Sequence, residues 1–215
     1  MGHAGMAAAA VRYLRSADAP RVEPAPRPRL RCVGEDERAP VSQAEFRRVL
    51  GNFATGVTVV TAAAADGETS PAGFACQSFS SLSLDPPLVA FMVGRTSTTW
   101  PRIARAGAFC VNVLAAGQGE LCRGFAVSGG DKFAGVAFDA APVSGAPRLT
   151  GALAWVDCAI HAVHTGGDHL IVVGRVAALG ADEPGAAPLL FHRGRFLQGS
   201  AVQPSAPLMS PGHDR

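Results

Sequence analysis

Long hydrophobic runs are missing from this chain. Its most apolar stretches, at 86–93 and 170–173, fall far short of the roughly 20 residues that span a bilayer. An excess of one charge is missing too: 19 Lys and Arg stand against 17 Asp and Glu, a formal net charge of +2. The dense basic face that nucleic acids or acidic membranes demand is therefore excluded. Cysteine is sparse and unpaired in pattern. Cys32, Cys76, Cys110, Cys122 and Cys158 form no C-x-x-C and no zinc-finger spacing, so they read as reduced thiols filling a core. Several motifs are absent as well: no G-x-G-x-x-G follows a strand, and no G-x-x-x-x-G-K-[ST], H-E-x-x-H or G-x-S-x-G occurs. Rossmann oxidoreductases, P-loop enzymes, zincins and α/β-hydrolases lose their support.

What the chain does have is core material. Apolar residues make up 48% of its 215 positions and charged residues only 17%, enough for one well-packed domain. Residues 1–41 are rich in Ala, Arg and Pro without an apolar period and read as a flexible extension, and 200–215 reads as a similar tail. The opening MGHAGMAAAAVRYLR makes a poor secretory segment, and Leu30-Arg31-Cys32 lacks the small residue of a lipid-attachment site. A cytoplasmic location is the expectation. The domain is expected over 42–199.

Ser42-Gln43-Ala44-Glu45 has the form of a capping box, and Phe46, Val49, Leu50 and Phe53 follow at helical spacing as an amphipathic stripe. Gly56 is read as the helix stop. The β-branched run 57–61 predicts a buried strand, and Asp66-Gly67 a turn before a strand over 73–77. Asp85-Pro86-Pro87 introduces a strand over 88–93. Ser97-Thr98-Thr99-Trp100-Pro101 opens a helix that Gly107 stops. A strand over 109–114, a helix over 118–125, a long hairpin of 152–163 and 170–179 turned at Gly166-Gly167, and short strands at 188–191 and 195–197 complete the pattern. Strands outnumber helices and are joined by short turns. The expected class is mainly β with flanking helices, an antiparallel closed or partly closed barrel.

The chemically suggestive window is 70–100. It holds Ser70, Ser78, Ser80, Ser81 and Ser83, then Arg95, Ser97, Thr98 and Thr99 at a helix start. Hydroxyls, loop N–H groups and a cation are the parts of a phosphate site, although the same composition also describes a solvated loop. Gly73-Phe74-Ala75-Cys76 is a small-residue strand on which a flat ring can lie close to the backbone.

This window, together with Phe46-Arg47-Arg48-Val49-Leu50-Gly51-Asn52-Phe53-Ala54-Thr55-Gly56, Phe109-Cys110-Val111-Asn112-Val113-Leu114, Asp131-Lys132-Phe133-Ala134-Gly135, Gly166-Gly167-Asp168-His169 and Leu189-Leu190-Phe191-His192-Arg193-Gly194, resembles the flavin reductase-like family. These are the reductase components of two-component flavin monooxygenases. The resemblance spans about 42–197, and its Gly-Phe-Ala-Cys-Gln-Ser-Phe form is closest to reductases serving aromatic and steroid-ring hydroxylases.

The resemblance implies a Greek-key split β-barrel, the FMN-binding split barrel, usually a homodimer, that uses FMN or FAD with NADH or NADPH. It implies that Pro71, Ala72, Gly73, Phe74, Ala75, Gln77 and Ser78 line the flavin ring and ribityl chain. Met92, Val93, Gly94, Arg95, Ser97, Thr98 and Thr99 would contact the ribityl and phosphate, and Gly124 and Phe125 the flavin from the second helix. His169 falls where the family has a histidine beside the nicotinamide, and Phe191, His192, Arg193 and Gly194 match an NAD(P)H contact. Cys122 and Arg123 depart from the family's usual residues. The implied activity is hydride transfer from nicotinamide to free flavin, which then leaves for a partner monooxygenase. The alternatives are a non-catalytic flavin-binding barrel or an enzyme of the pyridoxamine-phosphate oxidase type.

Other readings are plainer. His161 and His164 are three apart on a strand and face opposite ways, so no metal site is expected. Cys76 reads as a packed thiol, Trp100 and Trp155 as core or interface anchors, and Asp131-Lys132 as a helix-terminus ion pair.

Overall fold

The computed structural model describes residues 41–181 and 186–198. Of the two expected flexible ends, 1–40 and 199–215 lie outside the described residues. The elements run α1 (Gln43–Leu50), β1 (Thr55–Gly56), β2 (Thr58–Ala62), β3 (Ala72–Cys76), β4 (Ser80–Leu84), β5 (Pro87–Gly94), α2 (Trp100–Ala106) and β6 (Ala108–Val113). A 3-10 turn (Ala116–Gln118) leads into α3 (Gly119–Ala126). Then follow β7 (Phe138–Ala140), β8 (Pro147–Leu149), β9 (Ala154–Gly166), β10 (His169–Ala181), β11 (Leu189–His192) and β12 (Arg195–Gln198).

Seven strands form one sheet in the order β3-β2-β6-β9-β10-β5-β4, with β1-β11-β12 and β7-β8 beside it. Every pairing is antiparallel. The expected class holds: an antiparallel split barrel with helices on its outside. β2 is buried along its whole length, because its Val59 serves one hydrophobic cluster and its Val60 the other. That two-sided burial is why the run is β-branched throughout instead of alternating. β9 and β10 make a ribbon of 13 residues each, turned at Gly167-Asp168 with Gly167 at φ 68. Its register shifts beside Gly174, where the ring of Phe109 lies so close that a Cβ would meet Cζ at 2.4 Å. A bulge and a glycine together let the ribbon bend over the barrel.

Three expectations need correction. The apolar period at 46–53 does give a helix, but α1 buries nothing. Phe46, Val49, Leu50 and Phe53 are 49–76% exposed, so the stripe faces away from the barrel. Gly56 does not stop a helix; it pairs with Leu190 in the short β1. The serines at 80, 81 and 83 are not loop hydroxyls at a site. They lie on β4, an edge strand paired with β5. The strands β7 and β8 carry no strong period and were not expected.

One buried polar group ties the sheet to this small hairpin. Asn112 on β6 is fully buried; its Nδ2 has Val59 O and Thr61 Oγ1 at 3.2 Å and Pro147 O at 3.3 Å. Its Oδ1 accepts from Leu149 N at 2.8 Å, and Thr61 Oγ1 donates to Pro147 O at 2.6 Å. Truncation strands several buried backbone groups at once, each costing about 1–3 kcal/mol when left unpaired. Asn112→Ala is expected to lower unfolding stability by about 2–4 kcal/mol in urea titrations. A loss below about 0.5 kcal/mol, the range of an ordinary surface substitution, would refute this role.

Candidate functional site

A concavity of about 530 Å³ opens where β3, the start of the β3–β4 connection, the end of β5, α3 and the β11–β12 hairpin converge. Its walls are mostly apolar: Val57, Phe74, Ala75, Met92, Val93, Ala126, Phe191 and Phe196. Its volume and lining match those of a pocket for a drug-sized ligand. Phe191 and Phe196 face each other across the hairpin with ring centroids 5.5 Å apart and near edge-to-face. Polar groups are few. Ser78 Oγ accepts from Met92 N at 2.9 Å and reaches Met92 O at 3.1 Å, so it fastens the loop after β3 to β5. Ser97 Oγ accepts from Trp100 N at 3.2 Å and so starts α2.

His169, the first residue of β10, stands at the rim. Its Nδ1 is 2.7 Å from Asp168 Oδ1, and the imidazole holds that carboxyl below its ordinary range. With Nδ1 engaged, Nε2 turns to Gly94, where it would lie 4.0 Å from a Cβ. Glycine at 94 thus leaves room beside the imidazole. Cys76 and Cys122 also line the cavity as free thiols; burial raises both, so they are neutral wall atoms.

A second cavity of about 220 Å³ lies at the start of β3, bounded by Ser70, Pro71, Gly73, Thr98, Thr99, Arg102, Gly129, Gly130, Asp131 and Lys132. Its chemistry is cationic and hydroxylic. Arg102 Nε reaches Glu68 Oε2 at 2.5 Å, and its Nη2 donates to Ser70 O at 2.7 Å. Arg105 holds the other oxygen of Glu68. Lys132 Nζ donates to Phe125 O at 3.1 Å and Gly73 O at 3.3 Å. Partial burial, and then the charge of Arg102, keep Lys132 below the usual lysine range. An anion entering here would meet hydroxyls and two cations already fixed in place.

The expected residues divide accordingly. Phe74, Ala75, Gln77, Ser78, Met92, Val93, Gly94, Ser97, His169 and Phe191 share the large cavity, and Pro71, Gly73, Thr98 and Thr99 share the small one. Arg193 and Gly194 line a third concavity against α1. Five residues line none of the three. Ala72 and Phe125 are core, the latter packed on Phe133 at 5.1 Å. Gly124 lies on the open face of α3, and His192 pairs with Arg195 in the hairpin. Arg95 sits on an exposed loop, where its N–H donates to Asp168 O at 3.0 Å. Thr99 leads into α2 but gives it no side-chain cap. Asp131 and Lys132 do not make the expected ion pair. Asp131 Oδ1 accepts from Phe133 N at 3.0 Å, and Lys132 turns to the small cavity. Sequence reasoning missed Arg102 and Lys132 as site residues. The motif around Lys132 was its one available signal, since a lone lysine in an apolar stretch reads as structural.

Residues 50–200 match the flavin reductase like domain family. Over 169 residues, 79% of this chain and 83% of the relative, the sequence is 47% identical to the HsaB reductase subunit of a flavin-dependent monooxygenase from Rhodococcus jostii. Component B of a nitrilotriacetate monooxygenase from Mycobacterium thermoresistibile superposes with a TM-score of 0.69 at 43% identity, covering 80% of this chain and 92% of its own. The NADH:FAD oxidoreductase SgcE6 of Streptomyces globisporus, solved with NAD and FAD fragments, gives 0.68 at 40% identity over 76% of this chain and 94% of that one.

The neutral, buried state of the two cavity thiols is testable. Cys76 and Cys122 are expected to alkylate with iodoacetamide at pH 8 at least about tenfold more slowly in the folded protein than in urea, since only the thiolate reacts. Site-resolved mass spectrometry reads this. Equal rates in the two states would mean that these walls are open to solvent.

Proposed function

This chain belongs to the flavin reductase-like family, and from that membership we propose that it reduces free FAD or FMN with NAD(P)H and passes reduced flavin to a partner monooxygenase. The observation that carries the reading is the pairing of two cavities along β3: an apolar slot and, beside it, a small cavity lined by hydroxyls and cations. Phe74 and Ala75 line the first and Gly73 the second, so neighbouring residues of one strand border a place for a flat ring and a place for a phosphate. A flavin has these two parts, and the residues fit it.

When bound, flavin and nicotinamide would supply the chemistry, hydride transfer between them. The chain's own contribution is positional. Phe74 and Ala75 of β3 would supply walls for the ring, and Gly94 stands next to His169. The Asp168 carboxylate fixes the imidazole so that Nε2 turns to Gly94. Phe191 and Phe196 keep water from the ring cavity. Holding the reacting atoms about 3–3.5 Å apart supplies up to roughly 7–11 kcal/mol of the barrier, so neither a nucleophile nor a carboxylate pair is needed. Thr98, Thr99, Arg102 and Lys132 are assigned to the flavin phosphate, and Phe191, Arg193 and Gly194 to the nicotinamide nucleotide.

The reductase subclass follows from this reading: an NAD(P)H:flavin oxidoreductase of the EC 1.5.1 type. A homodimer is supported by the exposed apolar face of α1, which a second copy would cover. A cytoplasmic setting accords with four free cysteines among the described residues. The client is assigned to the aromatic or steroid-ring hydroxylases on the Gly-Phe-Ala-Cys-Gln-Ser-Phe segment.

Mixed anaerobically with NADH and excess FMN or FAD, the protein is expected to bleach many equivalents of flavin at 450 nm. A single stoichiometric reduction would instead favour a flavin store. His169→Ala is expected to lower the NADH-dependent rate while flavin affinity holds; an unchanged rate removes the imidazole from the mechanism. Lys132→Met is expected to weaken FMN about tenfold and to leave riboflavin, which has no phosphate, unaffected. Equal weakening of both ligands would mean that Lys132 acts on the fold and not on the phosphate.

A further inference from the structure

Glu68, in the connection between β2 and β3, lines none of the three concavities, yet its carboxylate faces two arginines of α2. Oε2 accepts from Arg102 Nε at 2.5 Å, and Oε1 accepts from Arg105 Nη2. These contacts join residues 34 and 37 positions apart, so they tie a loop to a helix and not one turn of a helix to the next. Shelter also sets the Arg102 pair apart. Its side chains are 32% and 16% exposed, against 59% and 86% for the Arg123–Glu120 pair, which water surrounds.

Glu68 is itself placed. Its N–H donates to Ala65 O at 2.9 Å across the Asp66-Gly67 turn, where Gly67 takes φ 82. Two residues further on, the chain delivers Ser70 and Pro71 to the wall of the small cavity. Arg102 reaches both: Nη2 donates to Ser70 O at 2.7 Å and lies 3.3 Å from Ser70 Oγ and from Pro71 O. The opposite wall holds Thr98 and Thr99, and Arg102 N–H donates to Thr99 O at 3.1 Å. The guanidinium is thus pinned along Nε and Nη2. Nη1 makes no hydrogen bond among the described residues, so it is the donor left for a ligand in the cavity that Arg102 lines.

No other group among the described residues holds Nε. Without Glu68, Arg102 keeps only its contacts through Nη2, and a long side chain regains the rotamer freedom that the carboxylate removed. Charge works the other way. A carboxylate near an anion site opposes the anion, so its removal would favour phosphate by Coulomb's law alone. Orientation and charge therefore act with opposite signs. A planar fork held at two nitrogens before the ligand arrives loses less freedom on binding, which favours orientation.

We propose that Glu68 is a positioning residue for the flavin phosphate, acting through Arg102. It turns Nη1 to the small cavity and fastens the β2–β3 connection to α2, while Arg105 keeps the carboxylate in place by its other oxygen. The proposal rests on the assignment of that cavity to the phosphate and adds a residue that does not touch the ligand.

Glu68→Ala is expected to raise Kd for FMN about three- to tenfold and to leave Kd for riboflavin, which has no phosphate, unchanged. Glu68→Gln keeps an acceptor for Nε and is expected to recover part of the loss. In an Arg102→Met background, Glu68→Ala is expected to weaken FMN no further, because the residue it acts through is gone. Quenching of flavin fluorescence on binding reads each Kd. Unchanged or tighter FMN binding by Glu68→Ala would overturn the proposal, as would equal weakening of FMN and riboflavin, which marks a role in folding. An undiminished effect in the Arg102→Met background would overturn it too. Equal wild-type Kd values for FMN and riboflavin would remove the phosphate from this cavity, and the proposal with it. A wild-type protein that prefers FMN to riboflavin yet turns over no flavin would defeat the reductase reading alone, because Glu68 is judged on Kd values.

Discussion

The missing side chain at Gly73 sets the spacing on which both cavities beside β3 depend. A Cβ there would stand 2.8 Å from Cε1 of Phe125, a distance at which the ring must shift, and a tight 3.3 Å from Cζ of Phe133. Without it, α3 settles its Phe125 directly on the strand. Phe133 then packs edge-on against Phe125, and Lys132, next in the chain, reaches both Gly73 O and Phe125 O. The lysine ammonium is therefore placed by the same contact that seats the helix. Cys122 and Ala126 of α3 meanwhile close one wall of the ring cavity. A single close approach of helix to strand thus shapes a wall of the apolar slot and places a cation in the small cavity.

Charge is kept away from the slot. The thiols of Cys76 and Cys122 are held neutral by burial, and the hydroxyls of Ser78 and Ser97 are occupied with backbone groups of their own loops. The cations Arg102 and Lys132 line the small cavity instead, apart from the slot. Such a division suits a reaction whose reactivity resides in the two ligands: orientation accelerates it, whereas a charged wall group beside the rings would invite water and side reactions.

How much of this the sequence discloses depends on how local each signal is. The β-branched run of β2, the Gly167 turn and the Gly107 stop act through their own backbone conformation and were legible at once. The serine-rich window was half misleading: Ser78 and Ser97 do line the cavity, but Ser80, Ser81 and Ser83 belong to an edge strand, where hydroxyls suit a solvated sheet margin. Arg102 and Lys132 were hidden because the Arg102–Ser70 and Lys132–Gly73 contacts span 32 and 59 residues. No local pattern marks a cation that becomes a site residue only when the barrel closes. The α1 stripe was legible as a helix and not as a surface, because amphipathic spacing says which residues share a face and nothing about what covers it.

That helix carries two faces. The apolar one, Phe46, Val49, Leu50 and Phe53, has no cover among the described residues, while Arg47 and Arg48 turn to the concavity shared with the β11–β12 turn. Its hold on the hairpin is narrow: Gly51 O accepts from Arg193 N, and Asn52 Oδ1 receives the guanidinium. A helix with no buried residue draws little of its stability from packing among the described residues. A second copy of the chain laid over the apolar face would bury these four side chains and hold the helix against the β11–β12 hairpin, so the proposed dimer would bear on the element that gives Phe191 and Phe196 to the ring cavity.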